Sequence, residues 1–217
     1  MNVPFNNLAP LPQVLEHPRG DGLGRRHHVL DHELNRDALR NFNQLLEYLD
    51  RPQAPLDTDQ IASAVRELVD SADNGTVPRC IQQRMCRAAA IDMMAEDPDW
   101  EVAYAAAIRA ELIVFDYLHD SLDLIPKAAP VIGRLDDAIL VDAAWPSLAS
   151  EVRDYLEFRR LRHVEALLRG ETRTHFGFTR KQYQEAALAE AEWIAHCERV
   201  DQQSYVPRDA TPTFKVH

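Results

Sequence analysis

The stretch FDYLHDSLDLIPKAAPVIGRLDDAILVDAAW, Phe115 to Trp145, constrains this chain more than any other. Apolar residues at helical spacing run up to it and away from it, while Pro126, Pro130 and Gly133 punctuate its middle. Prolines remove backbone donors and fix φ, so LDLIPKAAPVIG reads as a stiff connector between two buried helices packed as a hairpin. The polar atoms here are few. Asp123 can accept from its own downstream amides. Asp136 and Asp137 fall in the first turn of the second helix, where unpaired amides and the helix dipole favour a carboxylate by about 0.3–1 kcal/mol each.

Helical periodicity dominates elsewhere too. Asn35 caps a helix carrying Leu39, Phe42, Leu45, Leu46 and Leu49, which stops at Arg51-Pro52. Asp57 and Gln60 form a capping box for a second, with Ile61, Val65, Leu68 and Val69 inward and Asn74-Gly75 as its left-handed stop. Pro78 opens a third, with Ile81, Met85, Ala88 and Ala89 inward. Residues 99–120 read as a fourth helix, apolar nearly all round, and such a helix belongs at the centre of a molecule. A fifth runs from Arg134 to Ala144, and Pro146 begins a sixth or kinks a continuous one, with Leu148, Val152, Tyr155, Leu156, Val164 and Leu168 as the inner stripe. Thr179 and Gln182 box the last helix, on which Tyr183, Ala187, Ile194 and Cys197 face inward. No strand and no internal repeat is expected. The expectation is an all-α fold, a bundle of about six to seven helices around the central buried hairpin at 100–145. Residues 1–33, with four prolines and Gly20, Gly22 and Gly24, read as an extended arm over the body. Residues 34–205 form one all-α domain, and 206–217 a loose tail.

Charge and cysteine usage narrow the function classes. A formal charge of −11 repels phosphate backbones, and the Arg159, Arg160, Arg162, His163 run alternates with acids as a salt-bridged surface. Nucleic acid is therefore not an expected partner. Cys80, Cys86 and Cys197 have neither disulfide nor zinc spacing, with Cys86 and Cys197 read as core residues, and a reducing cytoplasmic setting fits them. The most apolar segment is broken by Arg109, Glu111 and Asp116 and is too short to span a bilayer.

The residues Tyr117-Leu118, Asp123-Leu-Ile-Pro126, Pro130-Val-Ile-Gly133 and Leu135-Asp-Asp137-Ala-Ile-Leu140 resemble the YkvA-like family, a domain of unknown function (DUF 1232). The resemblance covers about residues 100–145 and implies a helical hairpin without assigning a reaction. Lys127 stands where the family usually carries an acid. Many family members look membrane-associated, whereas this hairpin is diluted by Asp116, His119, Asp120 and Asp142.

Two functions from different classes fit these residues. The first is a non-enzymatic interaction or regulatory protein without a cofactor, binding a protein partner or a second copy through an acidic helical surface. The second is a metal-dependent hydrolase. Asp116, His119, Asp120 and Asp123 line one helix face if the helix continues that far, and Asp136 or Asp137 meets it when the hairpin folds back. An oxygen-rich set of that kind suits Mg or Mn better than zinc. Peripheral docking to a membrane through Leu124, Ile125, Val131 and Ile132 is a further expectation. His28 and His32 share a helix face if that segment is helical, beside His27, and read as a surface histidine cluster.

Overall fold

In a computed structural model of the chain, residues 7–17, 28–72, 75–120, 123–172 and 176–203 are described. The glycine cluster at 20–24, His27, Asn74 and the tail at 206–217 lie outside them. The architecture is predominantly all-α, with α1 Arg36–Tyr48, α2 Thr58–Ser71, α3 Arg79–Ala95, α4 Ala105–His119, α5 Leu135–Leu168 and α6 Arg180–Gln203. A short 3-10 helix, Gln13–Glu16, precedes them. No described helix is long and apolar enough to cross a membrane. Two compact units result, residues 1–157 and 158–217, divided inside α5.

The helix starts follow their caps. Asn35 Oδ1 accepts from the Asp37 amide at 2.8 Å. Asp57 and Gln60 satisfy each other's amides at 2.7 and 3.0 Å, and Thr179 and Gln182 do the same more loosely. The arm is held through its backbone. Gln60 Nε2 donates to the carbonyls of Val14 and His17, Arg51 Nη2 to that of Leu15, and Arg84 Nη1 to that of Ala9. Its own Leu11 and Leu15 are buried in the core.

Several expectations are corrected. Residues 28–33 form a two-strand hairpin, β1 His28–Val29 and β2 His32–Glu33, in which Val29 pairs with His32. His28 and His32 therefore do not share a helix face. The fourth helix begins at Ala105 rather than 99, because Asp97 and Pro98 turn the chain and Trp100 is drawn onto α5, its Nε1 donating to Glu151 Oε1 at 3.0 Å. Nor is that helix central: Ala107, Ala110, Val114 and Tyr117 are buried, but Ile108 and Leu112 are exposed. Ala89 and Cys86 on α3 are exposed, and the buried face there carries Arg84 and Arg87 instead.

α5 runs unbroken through Pro146 for 34 residues. Its inner stripe is Leu148, Val152 and Tyr155 as expected, then Phe158, Arg162 and Ala166, while Val164 and Leu168 are exposed. Spacings of three and four carry the phase from Tyr155 to 158, 162 and 166, and positions 164 and 168 fall on the opposite side. In the second unit Phe158 stacks on Phe178 at 5.6 Å, and Arg162 covers the Phe158 ring at 4.7 Å. Arg162 is thus a buried stacking residue and not part of a solvated surface. α6 is exposed along nearly its whole length, including Ala187, Ile194 and Cys197, so its expected inward stripe is not buried.

Candidate functional site

The bend between α4 and α5 is built around one carboxylate. Asp136, in the first turn of α5 and 1% exposed, turns its Oδ2 away from its own helix. That oxygen accepts from the Leu124 amide at 3.0 Å, the Ile125 amide at 3.0 Å and the Tyr117 hydroxyl at 2.9 Å. One acid on α5 therefore fastens both the loop and α4. Burial pushes the Asp136 carboxyl up to about 6, outweighing the amide donors that favour its charged form. Burial, with Asp136 beside it, also drives the Tyr117 phenol far above its usual range.

The other acids are engaged as well. Asp137 Oδ2 accepts from Arg134 Nη1 at 2.9 Å, and burial raises its carboxyl despite that partner. Asp123 meets Lys127 Nζ at 3.0 Å. Lys127 also donates to the carbonyls of Leu118 and Asp120 at 3.1 and 3.3 Å, closing the open end of α4. The lysine at the position where an acid was expected thus ties helix end to loop. Asp123 is held by this ammonium, not by its own amides as the sequence suggested.

Pro126 and Pro130 shape the connector through their carbonyls, which accept from the Ala129 and Ile132 amides, each at 2.8 Å. Gly133 is required by proximity: a Cβ there would lie 2.5 Å from the Lys127 carbonyl oxygen and 2.7 Å from that of Ala129. Leu124, Ile125 and Ile132 are buried in the core, so they are not the membrane-docking tip expected of them.

α4 ends at His119, so Asp116, Asp120 and Asp123 do not line one continuous helical face, and Asp116 and Asp120 are exposed. Among the described residues no group of three or more His, Cys, Asp or Glu is placed to hold a metal ion. The positive charge facing Asp123 and Asp137 comes from Lys127 and Arg134.

His119 instead turns toward α3. Its Nε2 lies 3.5 Å from Asp92 Oδ1, its Nδ1 pairs with the Phe115 carbonyl at 2.9 Å, and its ring lies 4.4 Å from that of Phe115. Asp92, His119 and Arg134, together with Met85, Ala88, Ala89 and Leu118, line a pocket of about 370 Å³. Sequence reasoning missed Asp92 because its partner lies on the next helix, 27 positions away, where no spacing rule reaches.

It also missed a buried cation pair. Arg84 Nε lies 2.9 Å from Asp142 Oδ1 and Arg87 Nη1 3.9 Å from it, with the Arg87 guanidinium 3.9 Å over the Trp145 ring. Burial lowers Arg87 to about 10. Two arginines three apart on the face of α3 that also carries Ile81, Ala88 and Ile91, and one aspartate within the apolar run of α5, were the available signal.

Comparison with known protein families, with curated proteins and with solved structures gave no match.

Proposed function

We propose that this chain is a non-enzymatic, intracellular interaction or regulatory protein that binds a protein partner through an acidic helical surface, with a YkvA-like hairpin as its rigid scaffold. The observation carrying this reading is the segregation of charge. Residues 1–157 hold 14 Lys and Arg against 27 Asp and Glu, a net −13, whereas 158–217 hold 10 against 8, a net +2. The acids at the bend serve the fold, and Asp136 in particular is wholly occupied by backbone and Tyr117. The surplus charge on the first unit is then a property of its surface, and a field of one sign steers a basic partner.

The test is capture from an extract of the source cells on immobilised chain, eluted by rising salt, with the mass of the free chain measured by light scattering. A discrete protein released by about 0.5 M salt, where screening lengths shrink to a few ångströms, is the expected result. A chain of monomer mass that retains nothing at micromolar concentration would remove the reading. A doubled mass would make a second copy the partner.

A further inference from the structure

The first unit's negative charge is concentrated further. Residues 92–120 contain eight acids, Asp92, Glu96, Asp97, Asp99, Glu101, Glu111, Asp116 and Asp120, against Arg109 alone, a net −7 of the chain's −11. Within that stretch lie large apolar side chains turned to solvent: Tyr104 is 67% exposed, Leu112 55% and Ile108 38%. Tyr104 caps α4, and Ile108, Leu112, Phe115 and His119 follow it at spacings of three and four, so the five define one stripe along the outer face. At 1.5 Å per residue the stripe is about 22 Å long.

The stripe ends at the pocket. His119 belongs to both, and Asp92 lines the pocket alongside Met85, Ala88, Ala89 and Leu118. Asp92 Oδ1 has no hydrogen-bond partner among the described residues, with His119 Nε2 3.5 Å away. Arg134, the other charged lining residue, is already matched by Asp137. The pocket thus sets a carboxylate beside Met85, Ala88, Ala89 and Leu118, a mixed lining that suits the long stem and cationic tip of a lysine or arginine.

An apolar ridge the length of four helical turns, set in concentrated negative charge, selects its occupant. Nucleic acid and anionic lipid surfaces are repelled. A short apolar face with basic flanks is the complement, the pattern of an amphipathic helix laid into a groove. We propose that the outer stripe of α4 and the pocket at its end receive a basic amphipathic helix from a protein partner, one Lys or Arg entering the pocket toward Asp92. This deepens the interaction reading above and rests on it.

The probe is a synthetic amphipathic helix of about four turns built from Leu and Lys, titrated calorimetrically into the full chain, with a Leu/Glu counterpart as control. The Leu/Lys helix binds and the Leu/Glu helix does not. Ile108→Asp with Leu112→Asp weakens binding by at least about a hundredfold, and Asp92→Asn by about tenfold with a shallower salt dependence. Circular dichroism checks that each variant keeps its helicity. Leu188→Asp with Ile194→Asp on α6, equal in added charge, leaves binding unchanged.

Equal binding to wild type and to the α4 double variant would overturn the proposal. So would cosedimentation with phosphatidylglycerol vesicles that the same variant abolishes, which would assign the stripe to lipid. If partner capture survives in the α4 double variant, the interaction reading stands and this site falls. If wild type captures nothing, the interaction reading falls first.

Discussion

The bend of the hairpin and the last helix look alike as patterns, each an apolar stripe with a few acids, yet one is buried and the other is exposed. Around the bend, Leu124, Ile125, Ile132 and Asp136 are all at most 4% exposed. On α6, Leu188, Trp193, Ile194 and Val200 are all more than half exposed. The difference lies in the polar atoms. At the bend the Asp136 carboxylate, the Tyr117 phenol and two backbone amides satisfy one another, and Lys127 meets Asp123 and two carbonyls, so the surrounding apolar groups can leave water without stranding these donors. On α6, by contrast, Glu185 meets only Lys181 of its own helix, at 3.9 Å, in a pair exposed to solvent. Periodicity says which residues share a face; polar satisfaction decides whether the face is covered.

Substitutions sharpen that contrast. Asp136→Ala strands the Ile125 amide and the Tyr117 hydroxyl in the core and leaves the Leu124 amide only the Tyr117 oxygen at 3.2 Å, and at about 1–3 kcal/mol for each unsatisfied group the expected loss is about 3–5 kcal/mol in urea unfolding. A loss below about 1 kcal/mol would mean that the bend is held otherwise.

The pH dependence follows from the raised Asp136 pKa. Between the ordinary value of 3.8 and about 6 the folded chain keeps a proton that the unfolded chain has released, so this group's contribution is full below about 4 and declines as pH rises through 6. The decline is about 3 kcal/mol at 1.36 kcal/mol per unit. Asp136→Asn, followed by chemical unfolding from pH 4 to 7, is expected to flatten it. An unchanged slope would place the titration elsewhere.

Gly133→Ala forces a methyl group against two backbone carbonyls and is expected to cost about 1–3 kcal/mol in thermal melts. The smallest effect belongs to the other side of the comparison. Leu188→Gln and Ile194→Gln are expected to stay within about 0.5 kcal/mol of wild type. A large loss on α6 would dissolve the distinction.

Much of the framework was legible in the residues. The caps at Asn35, Asp57 and Thr179 identify helix starts because a side-chain oxygen near orphan amides acts within one turn. The stiff bend was legible for the same reason, since prolines act locally. What failed was long-range. Val164 and Leu168 looked like core by identity, whereas the phase set at Tyr155 puts Arg162 inside, and a guanidinium is buried readily when a ring such as Phe158 lies beneath it. Of the acids read as metal ligands, Asp123 and Asp137 face Lys127 and Arg134, and the sequence reading did not recognise these cations as their partners. Asp92 could not be found at all from spacing, because its neighbour lies on another helix.

The most direct measurement is residue-resolved amide hydrogen exchange at Leu124 and Ile125 at neutral pH. With Asp136 accepting from both, their exchange is expected to be as slow as that of buried helical amides such as Ile139, and to become fast in Asp136→Ala. Exchange in the wild-type chain as rapid as at exposed Gly177 would contradict the claim that this carboxylate holds the bend.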